Sequence, residues 1–446
     1  MAKEKSTLRK RVTRYAKVST SMAGFGARAA GQQLLGLNPD RQKQAERLRM
    51  ALGGLKGPLM KVAQILSSIP DAVPKEYAIE LAQLQSDAPP MGWSFVRRRM
   101  AAELGPDWES RFKNFEHEAC AAASLGQVHK AVAKDGRILA CKLQYPDMES
   151  AVEADLGQLK IVMAMFERYD KAVNTKEVQK EVAERLREEL DYVREAKHMR
   201  LYGLMHPEGK GAVHVPQPLE ELSTSRLLTM TWLQGDRLAD IAASKPLKDR
   251  NTVAVNMFHA WYTPFYAFGV IHGDPHLGNY SVRKDLSINL LDYGCVRVFR
   301  PQLVHGVITL YEALRDGREE QAVEAYKAWG FVNPSKGLVE ILNIWAKFIY
   351  APLLEDKTRP IDETNTGLYG RETANKVHEE LRKAGGVTVP REFVFMDRAA
   401  VGLGSVFLRL NAEINWYRMF HELISGFDVK VLEKRQAKAL KACGLN

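Results

Sequence analysis

Apolar positions along the chain change their spacing several times, and the changes divide it. From Asp40 to about Ser68, Leu48, Leu52, Leu55, Leu59 and Val62 recur three and four residues apart, the spacing of one helical face. Gly53, Gly54, Gly57 and Pro58 predict a break there, hence two helices. Pro74 suits a first helical turn, so another helix is expected from it to about Gln85, ending before Asp87-Ala88-Pro89-Pro90. A further helix, roughly Ser94 to Leu104, stops at Gly105-Pro106. The preceding residues 1–36 are rich in basic residues, Ala, Gly and Ser and show no apolar stripe.

The period then switches. Val128–Ala133 and Arg137–Gln144 are β-type runs flanking Lys134-Asp135-Gly136, a strong hairpin signal. Long helical patterns cover Met148–Tyr169 and Thr175–Met205, followed by a strand-like Ser225–Trp232. From about Leu238 the chain reads as mostly helical, interrupted by a strand-and-loop region from Val270 to Val298. The expected organisation is a basic arm (1–36), a helical extension (37–110), a small β-containing lobe with inserted helices (111–232) and a large helical lobe (233–446). That is an α+β chain with the bilobal outline of a protein-kinase-like fold.

Composition changes this picture little; charge changes it more. Of 446 residues, 46% are hydrophobic and 26% charged, enough for a sizeable core. No apolar run approaches the ~18 residues a transmembrane helix needs, so the chain is not expected to span a membrane by itself. Cys120, Cys141, Cys295 and Cys443 lie far apart with no CxxC pair, which argues against a disulfide framework or zinc site and suits a reducing compartment. The net charge is +10, and residues 1–61 hold 14 Lys and Arg against Glu4, Asp40 and Glu46, leaving a near-neutral remainder. Such an arm suits nucleic acid, an acidic partner, an anionic membrane face or a solvated tail. Its acid-poor start also resembles a mitochondrial transit peptide but runs beyond the usual length.

The strongest chemical signal is Ile271-His-Gly-Asp-Pro-His-Leu-Gly-Asn279, followed by Leu290-Leu-Asp-Tyr-Gly294. An Asp, an Asn five residues on, and an Asp-aromatic-Gly after a short apolar strand form the layout of a kinase catalytic loop and metal loop. Phosphoryl transfer needs a carboxylate near the attacking oxygen and oxygen ligands that hold magnesium on the phosphates. Asp274 is expected to be that carboxylate; Asn279 and Asp292 are the expected magnesium ligands. Upstream, Leu139-Ala-Cys-Lys142 supplies a strand lysine in the place of Val-Ala-Ile-Lys. Strand alternation puts Ala140 on the Lys142 face, leaving room for an adenine ring. By position, Met230 abuts the adenine, and Thr231, Trp232 and Leu233 reach its edge. Glu188, Glu189, Asp191 and Glu195 are all candidates for the acid that pairs with Lys142, and pattern alone does not choose among them.

Four features together resemble the UbiB family, the aarF-domain-containing (ADCK) atypical kinases associated with ubiquinone biosynthesis. Ala121-Ala122-Ala123-Ser124-Leu125-Gly126-Gln127 resembles that family's alanine-rich loop, which stands in for a glycine-rich loop over the ATP phosphates. Lys61-Val-Ala-Gln64 resembles its Lys-x-Gly-Gln signature, Glu189-Leu-Asp191 its Glu-x-Asp motif, and His272-Gly-Asp-Pro with Asp292-Tyr-Gly its catalytic and metal loops. The resemblance implies ATP and Mg2+ as cofactors, Glu195 as the partner of Lys142, and an extension whose Lys61, Gln64, Glu189 and Asp191 limit access to the site. It also implies a quinone-precursor lipid or small molecule as substrate, quinone-biosynthesis proteins and a membrane surface as partners, and no nucleic acid; a homodimer is compatible with it. The implied location is cytoplasmic, peripheral on the inner membrane face, or the mitochondrial matrix in a eukaryote.

Two departures stand out. Ala63 replaces the usual Gly of the signature, and His276 stands where Asn is common. No Ala-Pro-Glu follows Asp292-Tyr-Gly294, which argues for a small or lipid-like acceptor or for ATP hydrolysis. Two other readings share the motifs: an aminoglycoside- or choline-type small-molecule phosphotransferase, and a nucleotide-gated pseudokinase scaffold.

Overall fold

A computed structural model describes residues 91–123, 125–169, 175–209, 211–363, 371–383 and 390–445. The basic arm, most of the helical extension with Lys61, Ala63 and Gln64, and Ser124 lie outside the described residues. The chain forms two compact units. One holds the described residues up to Tyr192 together with Glu220–Thr229; the other holds Val193–Leu219 and everything from Met230 onward.

The first unit is built on a sheet of order β1-β2-β3-β5: β1 (Phe112–Ala123), β2 (Gly126–Ala133), β3 (Ile138–Gln144) and β5 (Leu227–Thr231), the last continuing into the second unit. The Asp-Gly hairpin forms as its sequence predicts. Gly136 takes φ +90°, and the Asp135 carboxylate accepts from the Arg137 amide at 3.0 Å. Within this sheet, β1 is the strand that no sequence signal marked. It is an edge strand with register shifts at three places and mostly exposed residues, so no alternation of apolar positions marks it. Helix α1 (Trp93–Leu104) buries Val96, Met100 and Leu104. Trp93, Trp108, Phe112 and Phe115 form an aromatic cluster, with Trp108 edge-on to Phe115 at 5.1 Å.

After β3 come α2 (Met148–Tyr169), α3 (Thr175–Glu188) and α4 (Tyr192–Met205). The single helix expected over 175–205 is therefore interrupted. Leu190 and Asp191 donate back to Arg187 and Glu188 in short i→i+3 bonds, and Asp191, a residue type favoured at helix starts, precedes Tyr192. Gln144, at the end of β3, donates to the freed Leu190 carbonyl at 2.6 Å.

The second unit is mainly helical. β4 (Val213–His214), β6 (Asp236–Arg237), β8 (Tyr280–Val282) and β9 (Ile288–Leu290) form a sheet of order β4-β9-β8-β6, while β7 (Val270–His272) pairs with β10 (Val296–Val298). Helices α5 (Leu238–Ser244) and α6 (Leu247–Phe268) lead into β7, and α7 (Pro301–Asp316), α8 (Glu319–Ala328) and α9 (Lys336–Tyr350) follow β10. After β11 (Arg359–Pro360) come α10 (Arg371–Lys383), α11 (Arg391–Leu410), β12 (Glu413–Ile414), α12 (Trp416–Ile424) and α13 (Val429–Ala442). α6 ends at Gly269 in the left-handed conformation, where a side chain would meet the Phe299 carbonyl. From α13, the Gln436 amide donates to the Phe268 and Phe299 carbonyls, both at 2.8 Å, bracing the start of β7.

His206, directly after α4, is buried, with no hydrogen-bond partner for Nε2 among the described residues. Burial, outweighing the nearby Ala260 carbonyl, pulls its pKa from 6.5 down to about 4. The unfolded chain thus binds a proton below pH 6.5 that the folded chain refuses until about pH 4. Stability is full above pH 6.5 and falls as pH drops through this window. Going from pH 7 to 5 is expected to cost about 2 kcal/mol through this group. Urea unfolding of wild type and His206→Asn at both pH values checks it: the substitution should remove most of that acid sensitivity.

Candidate functional site

In the first unit the strand lysine takes the face its alternation predicts. Leu139, Cys141 and Leu143 point into the core at 0% exposure, whereas Lys142 is half-exposed and shares its face with Ala140. The Lys142 ammonium lies 5.2 Å from the centre of the Tyr192 ring, and Tyr192 directly follows Glu189-Leu190-Asp191. The Glu-x-Asp motif therefore sits in the turn that Gln144 holds, two positions beyond Lys142 on the same strand.

The alanine-rich segment is the tip of the β1–β2 hairpin. Ala121, Ala122 and Ala123 end β1 and pair with Val128, Gln127 and Gly126. Gly126 has no room for a side chain, because a Cβ there would run into the Leu143 carbonyl. Gln127 departs from its expected role. Its side chain is 1% exposed and turned inward, bonded to the Met91 backbone and to His129, so it does not reach toward a nucleotide. Met230 is buried on β5 and bridges to Pro218, while Trp232 is half-exposed and donates to Gln234.

The second unit brings together Asp274, Asn279 and Asp292 by means of two antiparallel strand pairs. β7 ends at His272 opposite Val296, which places the two loops side by side; Gly273 then donates to the Cys295 carbonyl at 2.6 Å. Across the β8–β9 hairpin Tyr280 faces Leu290, and Leu291 donates to the Asn279 carbonyl at 2.9 Å. Asn279 and Asp292 thus come from neighbouring positions of one hairpin end.

Buried His272 joins the two loops. Its Nε2 donates to the Asp292 carbonyl at 2.6 Å, and its Nδ1 accepts from the Asp274 amide at 3.3 Å, which sets the tautomer. The Asn279 amide nitrogen donates to the Asp274 carbonyl at 3.2 Å, leaving the side-chain oxygen as the atom to offer a cation. Tyr280, itself accepting from the Trp261 indole at 2.9 Å, donates to the same carbonyl. Asp292 accepts from the Gly294 amide at 3.0 Å, and His198 of α4 donates to the Tyr293 carbonyl one turn beyond buried Glu195. The three polar groups are half-exposed on a scaffold of buried His272, Tyr280, Leu290 and Tyr293.

Several supporting residues escaped the sequence reading. His272 lies inside the motif and Tyr280 directly follows it, so both stood beside a signal. Gly402 of α11, against which Pro275 of the catalytic loop packs too closely for a side chain, carried none. Gln436 of α13 is the same.

The fold is α+β and kinase-like. The chain belongs to the family of the ABC1 atypical kinase-like domain, which it matches over residues 83–326. Among curated proteins it is 25% identical to Atypical kinase coq-8, mitochondrial, of Caenorhabditis elegans over 86% of this chain and 51% of that protein. It is 24% identical to Atypical kinase COQ8, mitochondrial, of Saccharomyces cerevisiae, over 85% of this chain and 76% of that one. An uncharacterized aarF domain-containing protein kinase, chloroplastic, of Arabidopsis thaliana is 32% identical over 66% of this chain and 42% of its own. The chain spans about half the length of most of the curated relatives it matches. A solved structure, the Rv3197–erythromycin complex from Mycobacterium tuberculosis, superposes with a TM-score of 0.62 at 25% identity, covering 90% of this chain and 99% of that one.

Proposed function

We propose that this chain is a magnesium-dependent, ATP-binding atypical kinase or ATPase of UbiB type that supports quinone-lipid biosynthesis. The observation that carries this reading is His272, which fastens the Asp274 loop to the Asp292 loop through one ring. A carboxylate and an amide oxygen suit magnesium, which takes one or two protein oxygens and fills its remaining positions with phosphate and water. When bound, the ion would offset the negative charge of the phosphates. Asp292 and Asn279 would hold it, Lys142 would pair with the phosphates, and Ala121, Ala122, Ala123, Ser124 and Gly126 would cover them. Glu195 orients Lys142, while Ala140, Met230 and Trp232 flank the adenine. Asp274 takes the proton from the attacking hydroxyl or water.

Lys61 and Gln64, with Glu189 and Asp191, restrict access, so the acceptor is a small or lipid-like molecule such as a quinone precursor. The relatives' names support the kinase assignment; the basic arm supports work at a membrane surface, with quinone-biosynthesis proteins or a second copy of the chain as partners. No described helix is long and apolar enough to cross a membrane. The erythromycin in that similar solved complex favours a second reading, phosphorylation of a small hydrophobic acceptor unrelated to quinones.

The test is phosphate release from Mg-ATP, with and without anionic vesicles and a phenolic quinone-precursor mimic. The proposal expects release stimulated by both additions, and higher transfer to added acceptors in Lys61→Ala. Release that ignores the phenol but follows a macrolide would favour the second reading; no release under any condition would sink both.

A further inference from the structure

The backbone of Asp274 is held on both sides. Its amide donates to His272 Nδ1 at 3.3 Å, and its carbonyl accepts from the Asn279 amide nitrogen at 3.2 Å and the Tyr280 hydroxyl at 3.4 Å. These bonds fix the peptide units; where the carboxylate points depends also on the turn into Pro275. A residue before proline is confined to extended backbone, because the ring Cδ crowds its amide and Cβ. Displacing the Pro275 ring therefore displaces the Asp274 side chain. That ring rests on α11. A Cβ added at Gly402 would collide with Pro275 Cγ and lie 3.0 Å from its Cβ and 3.4 Å from its Cδ, so all three nearest atoms belong to this one ring. α11 has little freedom to recede: Leu403, Val406, Phe407 and Leu410 are buried, Phe407 packs on Trp416 at 4.6 Å, and Arg250 donates to the Leu410 carbonyl at 2.7 Å.

Glycine is among the poorest residues for a helix interior, and Gly402 stands well inside α11. Close approach of another segment of the chain is a circumstance that calls for it. Here the segment is the catalytic loop, one residue beyond its carboxylate. We infer that Gly402 is a positioning residue for phosphoryl transfer: it seats Pro275 on α11 and thereby sets the direction of the Asp274 carboxylate toward the attacking group. This rests on the functional reading above, in which Asp274 takes the proton. A misplacement of ~1 Å at a reacting group can cost on the order of 10² in rate. The carboxy-terminal helices, which carry no chemical motif, thus act on turnover through a single ring contact.

The experiment is a double-mutant cycle on the full chain with wild type, Gly402→Ala, Pro275→Ala and the double variant. Three readouts are taken: steady-state phosphate release, Mg-ATP calorimetry, and amide hydrogen exchange of residues 272–280 without nucleotide. Gly402→Ala is expected to lower kcat on the order of 10²-fold, to leave the Mg-ATP dissociation constant within about twofold, and to speed exchange in the loop. Pro275→Ala removes the Cγ that the new methyl would meet. The double variant should therefore regain at least about tenfold in kcat over Gly402→Ala, together with the slower exchange; a glycine that served folding alone would give no such rescue. Should Gly402→Ala fail to fold, Pro275→Ala and the double variant carry the test: emptying the seat lowers kcat, and refilling it with the methyl raises it again. Independent, multiplying effects of the two substitutions, or a Gly402→Ala protein with wild-type kcat and exchange, would overturn the inference while leaving the ATP site intact. A wild type that releases no phosphate, or an Asp274→Asn protein that releases it at the wild-type rate, would overturn the functional reading and this inference together.

Discussion

Asp292→Asn is expected to lower magnesium-dependent phosphate release by a factor on the order of 10³, the usual scale for losing a preorganised charge at the reacting phosphates. The substitution keeps the shape of the metal loop: an asparagine oxygen can still accept from the Gly294 amide, and His272 bonds the backbone of residue 292, not its side chain. What it removes is the negative charge that holds the cation. Asp274→Asn makes the informative contrast. It too should reduce turnover, by about 10²- to 10⁴-fold, yet Mg-ATP should still bind, because Asp274 acts on the attacking group. Steady-state rates with a magnesium titration for both variants separate the roles. An Asp292→Asn protein whose release still saturates with magnesium as the wild type does would remove Asp292 from the metal site.

Glu103→Ala should strongly destabilise the first unit. The carboxylate is 5% exposed and gathers Arg99 at 3.5 Å, Arg226 at 2.9 Å and the Thr224 hydroxyl at 2.6 Å. Arg226 is half-exposed and can turn to water, but Arg99 is only 10% exposed and its remaining bond is to the Tyr145 carbonyl. Removing the acid leaves a buried guanidinium without its counter-charge, a change that typically costs about 3–5 kcal/mol. The turn at Thr224–Arg226 also loosens, and the Arg226 carbonyl accepts from Gln144 at the end of β3, so the loss reaches the lysine strand. Urea unfolding measures it. Glu103→Gln, which can still accept from Thr224, should lose less, and a loss below about 1 kcal/mol in Glu103→Ala would mean that the cluster contributes little.

The site loops were legible because their chemistry fixes residue types at short spacings: Asp274 and Asn279 lie five apart, and Asp292 follows a strand of three buried residues. Lys142 was legible through the Asp-Gly turn and strand alternation. The supports were not. β1 is a bulged edge strand whose outward residues carry no period, and the break between α3 and α4 is set in part by Gln144, which is 46 residues from the carbonyl it holds. Gln127 looked like part of a phosphate loop because its neighbours do; only the fold turns it toward Met91. Gly402 shows the same limit, since nothing local distinguishes a glycine that must admit Pro275 from one in an ordinary helix. The last 150 or so residues hold no chemical motif, yet α11 and α13 back the catalytic loop and the start of β7.

The proposed function requires Lys142 and Asp292 each to contribute to Mg-ATP binding. Thermal unfolding with and without Mg-ATP tests it most directly, since ligand at 100 times its Kd stabilises a protein by about 2.7 kcal/mol. The account predicts a clear upward shift for the wild type that Lys142→Ala and Asp292→Asn each largely abolish, and that vanishes when magnesium is chelated in the Asp292-intact protein. A wild type that does not shift, or a shift that survives both substitutions, would contradict it.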